Sequence, residues 1–243
     1  ATMSGQEQFL DVIDRDEAER RFRAALTMTP LGAERIPVAE SLGRILAEDV
    51  VAKVDVPSFD RSNFDGFAVR AKDTFGASEL APAPLRLLDE TLEAGVAPTV
   101  AVNDGAAVAI STGGMIPRGA DAILMVEHSD MRNGKLLVHR AVTPGHGVSY
   151  AGTDISTGET VLRVNTRLTS RETGVLAALG EATVSVWRQP KVAIISTGNE
   201  ILAPGQPVRP AAVYDSNSQV LADAVRELGG DPRCWGIVRD DVD

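Results

Sequence analysis

Three polar segments of the sequence carry side chains that could do chemistry. The first covers residues 59–69, in which Asp60 and Asp65 flank Ser62. Carboxylate oxygens coordinate Mg²⁺, and they also accept hydrogen bonds from the hydroxyl groups of a polar ligand. The same residues are typical of an Asx turn that leads into a strand, with Asp65 at the corner. The spacing alone leaves both interpretations open.

The second polar segment, residues 110–117, follows an apolar run and combines the hydroxyl of Thr112 with Gly113 and Gly114. A glycine-rich turn of this kind exposes several backbone N–H groups, which can form a concave site for an anion. A turn that needs glycine only for its backbone angles has the same composition. An anion site and a plain turn therefore remain alternatives.

The third polar segment, residues 196–200, stands at the carboxyl end of a predicted strand and contains Thr197, Gly198 and Glu200. Open α/β sheets bind their ligands in the crevice outside the carboxyl ends of the strands. That position makes Glu200 a candidate metal ligand or general acid–base group. The alternative is that Glu200 only caps a neighbouring turn.

The elements that must position these segments change in character along the chain. A helix is predicted from a capping box at Asp14 and Glu17, with Phe22 and Leu26 on one face. From about residue 57 to residue 152, short apolar runs alternate with turn signals, which is typical of a β-barrel or a sandwich-like unit. The predicted strands there cover residues 67–69, 85–88, 106–110, 122–126 and 136–139, and Asn133-Gly134 predicts a type I′ hairpin turn.

Beyond residue 152 the pattern predicts alternating strands and helices. Residues 160–164 and 183–187 indicate strands, and they flank a helix over residues 170–179 with its N-cap at Thr169. Residues 191–196 indicate a continuous apolar strand of the kind that is buried on both faces.

The last part of the chain predicts the opening of a doubly wound α/β domain. A helix after Asp215 is followed by a strand over residues 234–238. We expect the helix to turn five apolar residues inward, namely Val220, Leu221, Ala224, Val225 and Leu228. One strand–helix–strand unit has little surface to bury. The chain is therefore expected to be a fragment of a longer protein, or else to complete this core against another surface.

Length and composition bound the class of protein. The chain has 243 residues, of which 44% are hydrophobic and 24% charged, as in an ordinary globular protein. Its formal net charge of −10 argues against a nucleic-acid binder or a protein of anionic membrane surfaces. Cys234 is the one cysteine, and no apolar run approaches the length of a membrane span. We expect a cytoplasmic protein with no nucleic-acid or membrane partner.

Taken in order along the chain, these segments resemble the MoeA/gephyrin family, the molybdopterin molybdotransferases of molybdenum cofactor biosynthesis. Each segment alone is a weak signal, and their order makes the resemblance strong. It is carried by residues 43–50, 55–57, 59–69, 110–113, 119–122, 152–155, 176–180, 196–200 and 214–217, with Pro117 and Glu127.

The resemblance implies a mixed α/β multidomain fold. An elongated α+β dimerisation domain is expected from residues 1–52 and 153–187, and a β-barrel-like insertion from residues 53–152. Residues 188–243 are then the start of a three-layer, doubly wound α/β domain of the molybdopterin-binding type. The later glycine-rich and lysine-containing motifs of the family are absent from the sequence, so we expect this chain alone to be inactive.

The resemblance also implies a reaction and a site. Molybdenum passes from molybdate to the dithiolene of adenylylated molybdopterin, with Mg²⁺-dependent release of AMP by a homodimer. The catalytic residues implied are Asp65, Asp154 and Glu200, with Glu200 also as the metal ligand. The substrate-binding residues implied are Ser62, Thr112, Gly113, Thr197 and Gly198. They would line a site between the insertion of one subunit and the α/β domain of its partner.

Two positions depart from the family pattern. Asn199 stands where the family commonly has Asp, and residues 149–151 lack the basic run that many members carry. A site for anions normally needs such positive charge. Two other classes of function stay open, namely a non-catalytic dimerisation or scaffold module of the same fold and a protein similar to the molybdopterin adenylyltransferases.

Overall fold

The computed structural model describes residues 13–240 of the chain. Within that range the α-helices are α1 (Arg15–Ala25), α2 (Ser170–Ala178) and α3 (Asn217–Glu227). The strands are, in chain order, β1 (Ala33–Pro37), β2 (Val50–Val51), β3 (Arg61–Ser62), β4 (Gly66–Val69), β5 (Ala83–Leu92), β6 (Ala106–Ile110), β7 (Ala122–Met125), β8 (Ser129–Arg132), β9 (Lys135–Val138), β10 (Val148–Ser149), β11 (Thr160–Leu162), β12 (Thr183–Trp187), β13 (Lys191–Thr197), β14 (Ile201–Leu202), β15 (Val213–Tyr214) and β16 (Asp231–Val238). No helix in this range combines the length and the apolar character that a membrane span requires.

The chain forms two compact units, and each is described on its own. The central unit is Arg35–Val186, and the terminal unit combines Ala1–Glu34 with Trp187–Asp243. Helices and strands both contribute, so the predicted mixed α/β class is confirmed. The finer division into three domains stays a prediction.

The largest element of the central unit is a six-stranded sheet with the order β7-β4-β6-β5-β9-β8. Neighbouring strands are antiparallel except for β5 and β6, which run parallel. Because side chains alternate along a strand, Ala68 and Val69 of β4 enter two different cores, one on each face of the sheet. The outer strands β7 and β8 do not pair with each other in the described chain, so the pairing is that of an open sheet rather than a closed barrel.

The strands of this sheet confirm the five runs predicted from the sequence. β6 matches the prediction residue for residue, and β5 is the most extended beyond it, reaching Leu92. The hairpin turn is also confirmed: Arg132 lies opposite Lys135, and the two residues between them have positive φ angles of 51° and 73°. Type I′ turns require positive φ at both central positions, which Asn and Gly adopt most easily.

A separate core in the central unit joins α2 to the strand pairs β2–β11 and β1–β12. Helix α2 begins where the sequence predicts, because Thr169 and Glu172 exchange the reciprocal hydrogen bonds of a capping box. Five residues form the buried centre of this core, namely Leu46, Leu168, Leu176, Val184 and Val186.

The strand–helix–strand prediction for the terminal unit is confirmed. Strands β13 and β16 are parallel, and α3 packs against both. The prediction that residues 191–196 are buried on both faces is wrong, because only Ile194 of β13 is buried. A parallel strand is buried on both faces in a wide, covered sheet. In the described chain β13 has one pairing partner, β16.

The predicted inward face of α3 is wrong in part. Ala222 is the buried residue of this helix, whereas Val220 and Leu221 are exposed and Leu228 is 90% exposed. The other two predicted residues are half-buried. A helix that packs on two strands can cover only a narrow line of its apolar stripe.

The first helix confirms its predicted start. Asp14 is the N-cap of α1, and its Oδ1 accepts a hydrogen bond from the N–H of Glu17 at 2.8 Å. None of the residues of α1 is buried, and Phe22 on its apolar face is 66% exposed. The apolar face predicted from the sequence is therefore a surface feature of α1.

Candidate functional site

The first two polar segments lie side by side in the central unit. Hydrogen bonds between their backbones join them, since the N–H of Ser62 donates to Gly114 O at 3.0 Å and the N–H of Gly113 donates to Ser62 O at 2.8 Å. Ser62 is buried, and its hydroxyl donates to Phe64 O at 2.5 Å. The two segments therefore form one continuous polar surface.

Asp65 and Thr112 meet on this surface. The Oδ1 atom of Asp65 accepts hydrogen bonds from the N–H of Thr112 at 2.7 Å and from its hydroxyl at 3.0 Å. These bonds, the backbone one first, hold the pKa of the Asp65 carboxyl below its usual value of 3.8. Asp65 is therefore ionised at neutral pH. Because both bonds end on Oδ1 and the residue is exposed, Oδ2 is available to a ligand.

The register of the sheet explains this meeting. Gly66 of β4 lies opposite Ile110 of β6, so Asp65 stands just before β4 at the edge where Thr112 follows β6. Antiparallel neighbours bring the start of one strand to the end of the other. Gly66 also has no room for a side chain, since a Cβ there would lie 2.1 Å from Leu124 O.

The second polar segment does not offer the anion site that its composition left open. The N–H groups of Thr112 and Gly113 donate to Asp65 and Ser62. The N–H of Gly114 donates to Ser111 O at 2.8 Å. An anion-binding concavity needs backbone N–H groups that are free to face the ligand. The segment is therefore a turn that fixes Thr112, as the plainer alternative predicts.

A further segment, residues 147–154, borders the same surface. The N–H of Asn63 donates to Gly147 O at 2.9 Å, and the hydroxyl of Ser149 donates to Asn63 Oδ1 at 2.6 Å. The Oδ1 atom of Asp60 accepts a hydrogen bond from the N–H of Ala151 at 2.8 Å. The side chains of Asp60 and Asn63 therefore tie the loops together.

Asp154 is the last residue of this segment. Its N–H donates to Val56 O at 2.9 Å, and its exposed carboxylate has no hydrogen-bond or ion-pair partner among the described residues. No hydrogen bond in the described chain links its side chain to Asp65. Its catalytic role therefore stays a prediction.

A second aspartate–threonine pair in the central unit has the same hydrogen bonds as Asp65 and Thr112. The Oδ1 atom of Asp55 accepts hydrogen bonds from the N–H of Thr157 at 2.7 Å and from its hydroxyl at 2.8 Å. These bonds lower the pKa of the Asp55 carboxyl, and the backbone bond is again the larger cause. An aspartate bonded to a threonine in this way can therefore serve only to close a loop. Asp65 differs from Asp55 in its position, because it lies at an edge of the six-stranded sheet.

The third polar segment lies in the terminal unit, at the carboxyl ends of β13 and β16. Thr197 is the last residue of β13, and the loop begins at Gly198, whose N–H donates to Val238 O at 3.1 Å. A Cβ on Gly198 would lie 2.6 Å from Glu200 Oε2, so the Glu200 carboxylate lies over this glycine. Glu200 is exposed, and its carboxylate has no hydrogen-bond or ion-pair partner in the described range.

A buried carboxylate beside this segment is absent from the predicted site residues. Asp215 accepts a hydrogen bond from the Ser196 hydroxyl at 2.6 Å and another from the N–H of Ser218 at 3.0 Å. It is 8% exposed, and these bonds, that of Ser196 first, lower the pKa of its carboxyl. The sequence identifies Asp215 only as a helix cap. Its link to the end of β13 depends on the fold.

Two arginines line a pocket at the same end of β13 and β16, namely Arg209 and Arg239. The guanidinium of Arg209 donates to the carbonyl oxygen of Asn199. The side-chain oxygen of Asn199 accepts a hydrogen bond from the N–H of Asp240 at 3.3 Å. Asn199 thus acts as a structural link, and it adds no negative charge beside the arginines. Neither arginine belongs to a sequence motif, so only the fold brings them to this place.

Glu200 offers one ligand to a divalent ion. Protein sites for Mg²⁺ commonly use one or two carboxylates, with water and phosphate oxygens as the other ligands. The exposed Glu200 carboxylate fits that donor chemistry, whereas the oxygens of Asp215 are engaged by Ser196 and Ser218. No three His, Cys, Asp or Glu side chains gather into a metal site between residues 13 and 240.

The structure sorts the predicted site residues into two groups. In the central unit it brings together Ser62, Asp65, Thr112 and Gly113. In the terminal unit it brings together Thr197, Gly198 and Glu200. Their catalytic and binding roles remain predictions.

Two family models match the chain. The MoeA N-terminal region, comprising domains I and II, matches residues 13–180, and a probable molybdopterin binding domain matches residues 193–243. These matches define a class of protein in which a MoeA-type N-terminal region precedes a molybdopterin-binding domain. The first match alone covers more than half of the sequence. The chain belongs to the MoeA family.

Named relatives agree with this membership. Molybdopterin molybdenumtransferase 2 of Mycobacterium tuberculosis (strain CDC 1551 / Oshkosh) is 38% identical over 207 residues, covering 85% of this chain and 51% of that protein. The molybdopterin molybdenumtransferase of Bacillus subtilis (strain 168) is 38% identical over 214 residues, covering 86% and 50%. The chain thus spans about half the length of the curated relatives it matches.

A solved structure gives the same result for the fold. The crystal structure of the molybdopterin biosynthesis moeA protein from Pyrococcus horikosii is similar to this chain with a TM-score of 0.82 and 42% sequence identity. The similarity covers 95% of this chain and 58% of that chain. A second structure of that name, from Pyrococcus horikoshii OT3, has a TM-score of 0.75 and 37% identity over 86% of this chain and 56% of its own.

Proposed function

We propose that the protein transfers molybdenum from molybdate to adenylylated molybdopterin and releases AMP. The observation that carries the proposal is the pairing of Asp65 with Thr112 at one exposed edge of the six-stranded sheet. Membership of the MoeA family and the names of the relatives support the same activity.

Asp65 supplies an ionised and oriented hydrogen-bond acceptor. Thr112 holds the carboxylate through Oδ1, so Oδ2 accepts a hydrogen bond from an N–H or O–H group of the pterin. A carboxylate that is already oriented does not have to reorganise when the substrate reacts. The buried backbone of Ser62 and the turn at Gly113 keep Thr112 in place.

Glu200 and the two arginines act on the charged parts of the substrates. Glu200 is the residue that would hold Mg²⁺, and the ion when bound supplies positive charge to neutralise phosphate oxygens. Arg209 and Arg239 add fixed positive charge at the same end of the terminal unit. Guanidinium groups match oxyanions through paired N–H donors.

A homodimer is the second part of the proposal. Helix α1 and the residues after it expose apolar side chains, namely Phe22, Leu26, Met28 and Leu31. A group of exposed apolar residues on a protein surface is typical of an interaction site.

Sedimentation equilibrium should therefore give twice the mass of one chain. The double variant Phe22→Ser with Met28→Ser should shift the equilibrium towards the monomer. An unchanged mass in that double variant would contradict this use of the surface. The cytoplasmic location also remains a prediction.

Genetic complementation separates the transferase from the two alternative functions. The host lacks its molybdopterin molybdenumtransferase and keeps its adenylyltransferase, and it receives the gene at the full length that it encodes. We expect molybdoenzyme activity to return, and we expect Asp65→Ala to lose it. Asp89 is an exposed aspartate on β5, so Asp89→Ala is the charge-matched control and should rescue. Failure of the wild-type gene, with the protein present in the cells, would contradict the transferase and favour one of the two alternative functions.

A further inference from the structure

A pocket of the central unit lies outside the polar surface described above. It is lined by His128, Arg140, Thr143 and His146, together with apolar side chains. No Asp or Glu of the described chain lines it, although the protein has 34 acidic residues against 24 Lys and Arg. A concave site with basic groups and without carboxylates attracts anions.

The guanidinium of Arg140 has N–H donors in this pocket that are not used by the contact with His128. Its Nη1 lies 3.3 Å from His128 Nε2, and the ring nitrogen must be the acceptor because a guanidinium only donates. That bond engages one of the five N–H donors of the guanidinium. Arg140 forms no ion pair with any described residue. The arginine therefore keeps its positive charge uncompensated.

Three carboxylates that are close to the pocket residues in the sequence do not line the pocket. Asp130 accepts from His139 Nε2 at 3.0 Å, and the Oδ1 atom of Asp121 accepts from the N–H of Ala71 at 2.6 Å. Glu127 is exposed and does not line the pocket. Among the described residues, no carboxylate therefore lines the pocket beside Arg140.

Backbone hydrogen bonds hold the pocket open in one shape. The N–H of Val142 donates to the buried Thr74 hydroxyl at 3.0 Å. The N–H of His146 donates to Thr143 O at 3.0 Å, and its carbonyl accepts from the N–H of Ile123 at 2.8 Å. A site whose backbone is fixed loses little entropy when a ligand binds.

The pocket adjoins the surface that carries Asp65. Met125, which lines it, lies opposite Gly66 in the pairing of β7 with β4. The His146 ring is 5.7 Å from the ring of Phe64, at an interplanar angle of 56°. The pocket is therefore on the β7 side of β4, whereas Thr112 follows β6 on the other side.

We propose that this pocket binds a phosphate group, held by the Arg140 guanidinium and the His146 imidazole, while His128 orients the guanidinium. Arg is suited to phosphate because its planar donors pair with two oxygens at once. Thr143 also lines the pocket, and a hydroxyl group can donate a hydrogen bond to a phosphate oxygen. Inorganic phosphate and the phosphate of a nucleotide have this chemistry in common. The inference does not depend on the proposed transferase activity.

Histidine signals in two-dimensional ¹H–¹³C NMR spectra of the whole chain test the proposal. The sequence has three histidines, and His139 lies outside the pocket, so it serves as an internal control. At constant pH and ionic strength, inorganic phosphate and AMP are added in separate titrations. We expect the signals of His128 and His146 to move along a saturating curve, and the His139 signal to stay in place.

Two arginine variants give the matched comparison. Arg140→Gln should weaken phosphate binding by about tenfold or more, as expected for the loss of a charge-assisted donor pair. Arg132→Gln removes the same charge from an exposed position outside the pocket and should leave the binding curve unchanged. If the NMR spectrum of Arg140→Gln shows that this variant is unfolded, the His146→Asn variant is used in its place.

The two titrations identify the source of the phosphate group. Saturation by phosphate alone identifies a free ion as ligand, and tighter saturation by AMP identifies a nucleotide. Linear shifts, or equal effects of the two arginine variants, would overturn the proposal.

Discussion

At the scale of single residues, the central observation is that Asp65 and Asp55 are held in the same way. Each carboxylate accepts a backbone and a hydroxyl hydrogen bond from one threonine, through one oxygen atom. Hydrogen bonding alone therefore does not distinguish a ligand-binding aspartate from a loop-closing one. Asp65 differs from Asp55 in its place, because it lies at the edge of the six-stranded sheet where Thr112 follows β6.

The pKa of Asp65 is the first quantity to measure. Thr112→Val removes the hydroxyl and keeps the backbone N–H, which is the larger cause of the lowered pKa. We expect the pKa of Asp65 to rise in this variant and still to remain below its usual value. Carboxyl ¹³C NMR titration follows it, and Thr157→Val is the matched control because it alters only the hydrogen bond to Asp55. An unchanged pKa of Asp65 in Thr112→Val would contradict the geometry.

The same hydrogen bonds give stability a pH dependence with a definite sign. The folded protein holds the pKa of Asp65 below the unfolded value of 3.8, so the unfolded state binds more protons in that range. The stabilisation from these bonds is present above pH 3.8 and is lost as the pH falls through the lowered pKa. Urea denaturation at several pH values should show a smaller loss on acidification for Asp65→Asn than for the wild type. An equal loss in both would remove Asp65 as a contributor.

Two glycines provide opposite tests of packing. A Cβ on Gly66 would lie 2.1 Å from a backbone oxygen of β7, so Gly66→Ala must push the two strands apart. We expect it to lower the free energy of unfolding by about 1–3 kcal/mol or more. Gly174 in α2 has nothing within 4 Å of its Cβ position, so Gly174→Ala should raise the free energy of unfolding by about 0.5–1 kcal/mol. Chemical denaturation measures both, and a neutral Gly66→Ala would contradict the close approach of β4 and β7.

Site residues are only partly predictable from the sequence, for a physical reason. Ser62, Asp65, Thr112 and Gly113 belong to motifs, and the fold brings them together. The burial of Asp215 beside Ser196 and the arginine pair are different, because they depend on segments that meet only after folding. The composition around Gly113 and Gly114 left an anion site and a plain turn open, because composition does not show which backbone N–H groups are already engaged.

At the scale of elements, the sequence predicts the ends of helices and hairpins better than it predicts which of their faces are buried. The cap at Thr169 and the hairpin at Asn133-Gly134 are set by residues a few positions apart, and both are confirmed. The faces of β13 and α3 are set by what packs on them. Ile195 of β13 and Leu221 of α3 are exposed although both are apolar. An apolar residue predicts a tendency to be buried, and a neighbouring layer decides whether it is.

The capping box of α2 provides a test at this scale. Thr169→Ala removes the side-chain acceptor for the Arg171 N–H and the partner of Glu172. We expect a loss of about 1 kcal/mol in the free energy of unfolding, as for other N-cap threonines. Glu172→Gln keeps a group that can bond to the N-cap backbone and should cost less. A larger loss in Glu172→Gln than in Thr169→Ala would contradict this description of the cap.

At the scale of the whole molecule, burial is uneven between the two units. The central unit contains three buried clusters, whereas in the terminal unit few apolar side chains are buried and Trp235 is 74% exposed. Local opening is easiest where few apolar contacts hold the backbone. We therefore expect amide hydrogens of β13 and β16 to exchange faster than those of β4 and β6 in the 243-residue chain. Mass-spectrometric hydrogen exchange measures this, and equal protection in both units would contradict the expectation.

The central claim is that the polar surface around Asp65 serves a molybdenum transferase. The most direct test is the rate of AMP release from adenylylated molybdopterin, with and without molybdate, by the protein at the full length that its gene encodes. We predict release that requires molybdate, unchanged in Asp89→Ala and slowed about a hundredfold in Asp65→Ala, the cost expected when a positioning contact is lost. The account would be contradicted if AMP were released at the same rate with and without molybdate, or at the same rate by Asp65→Ala and the wild type.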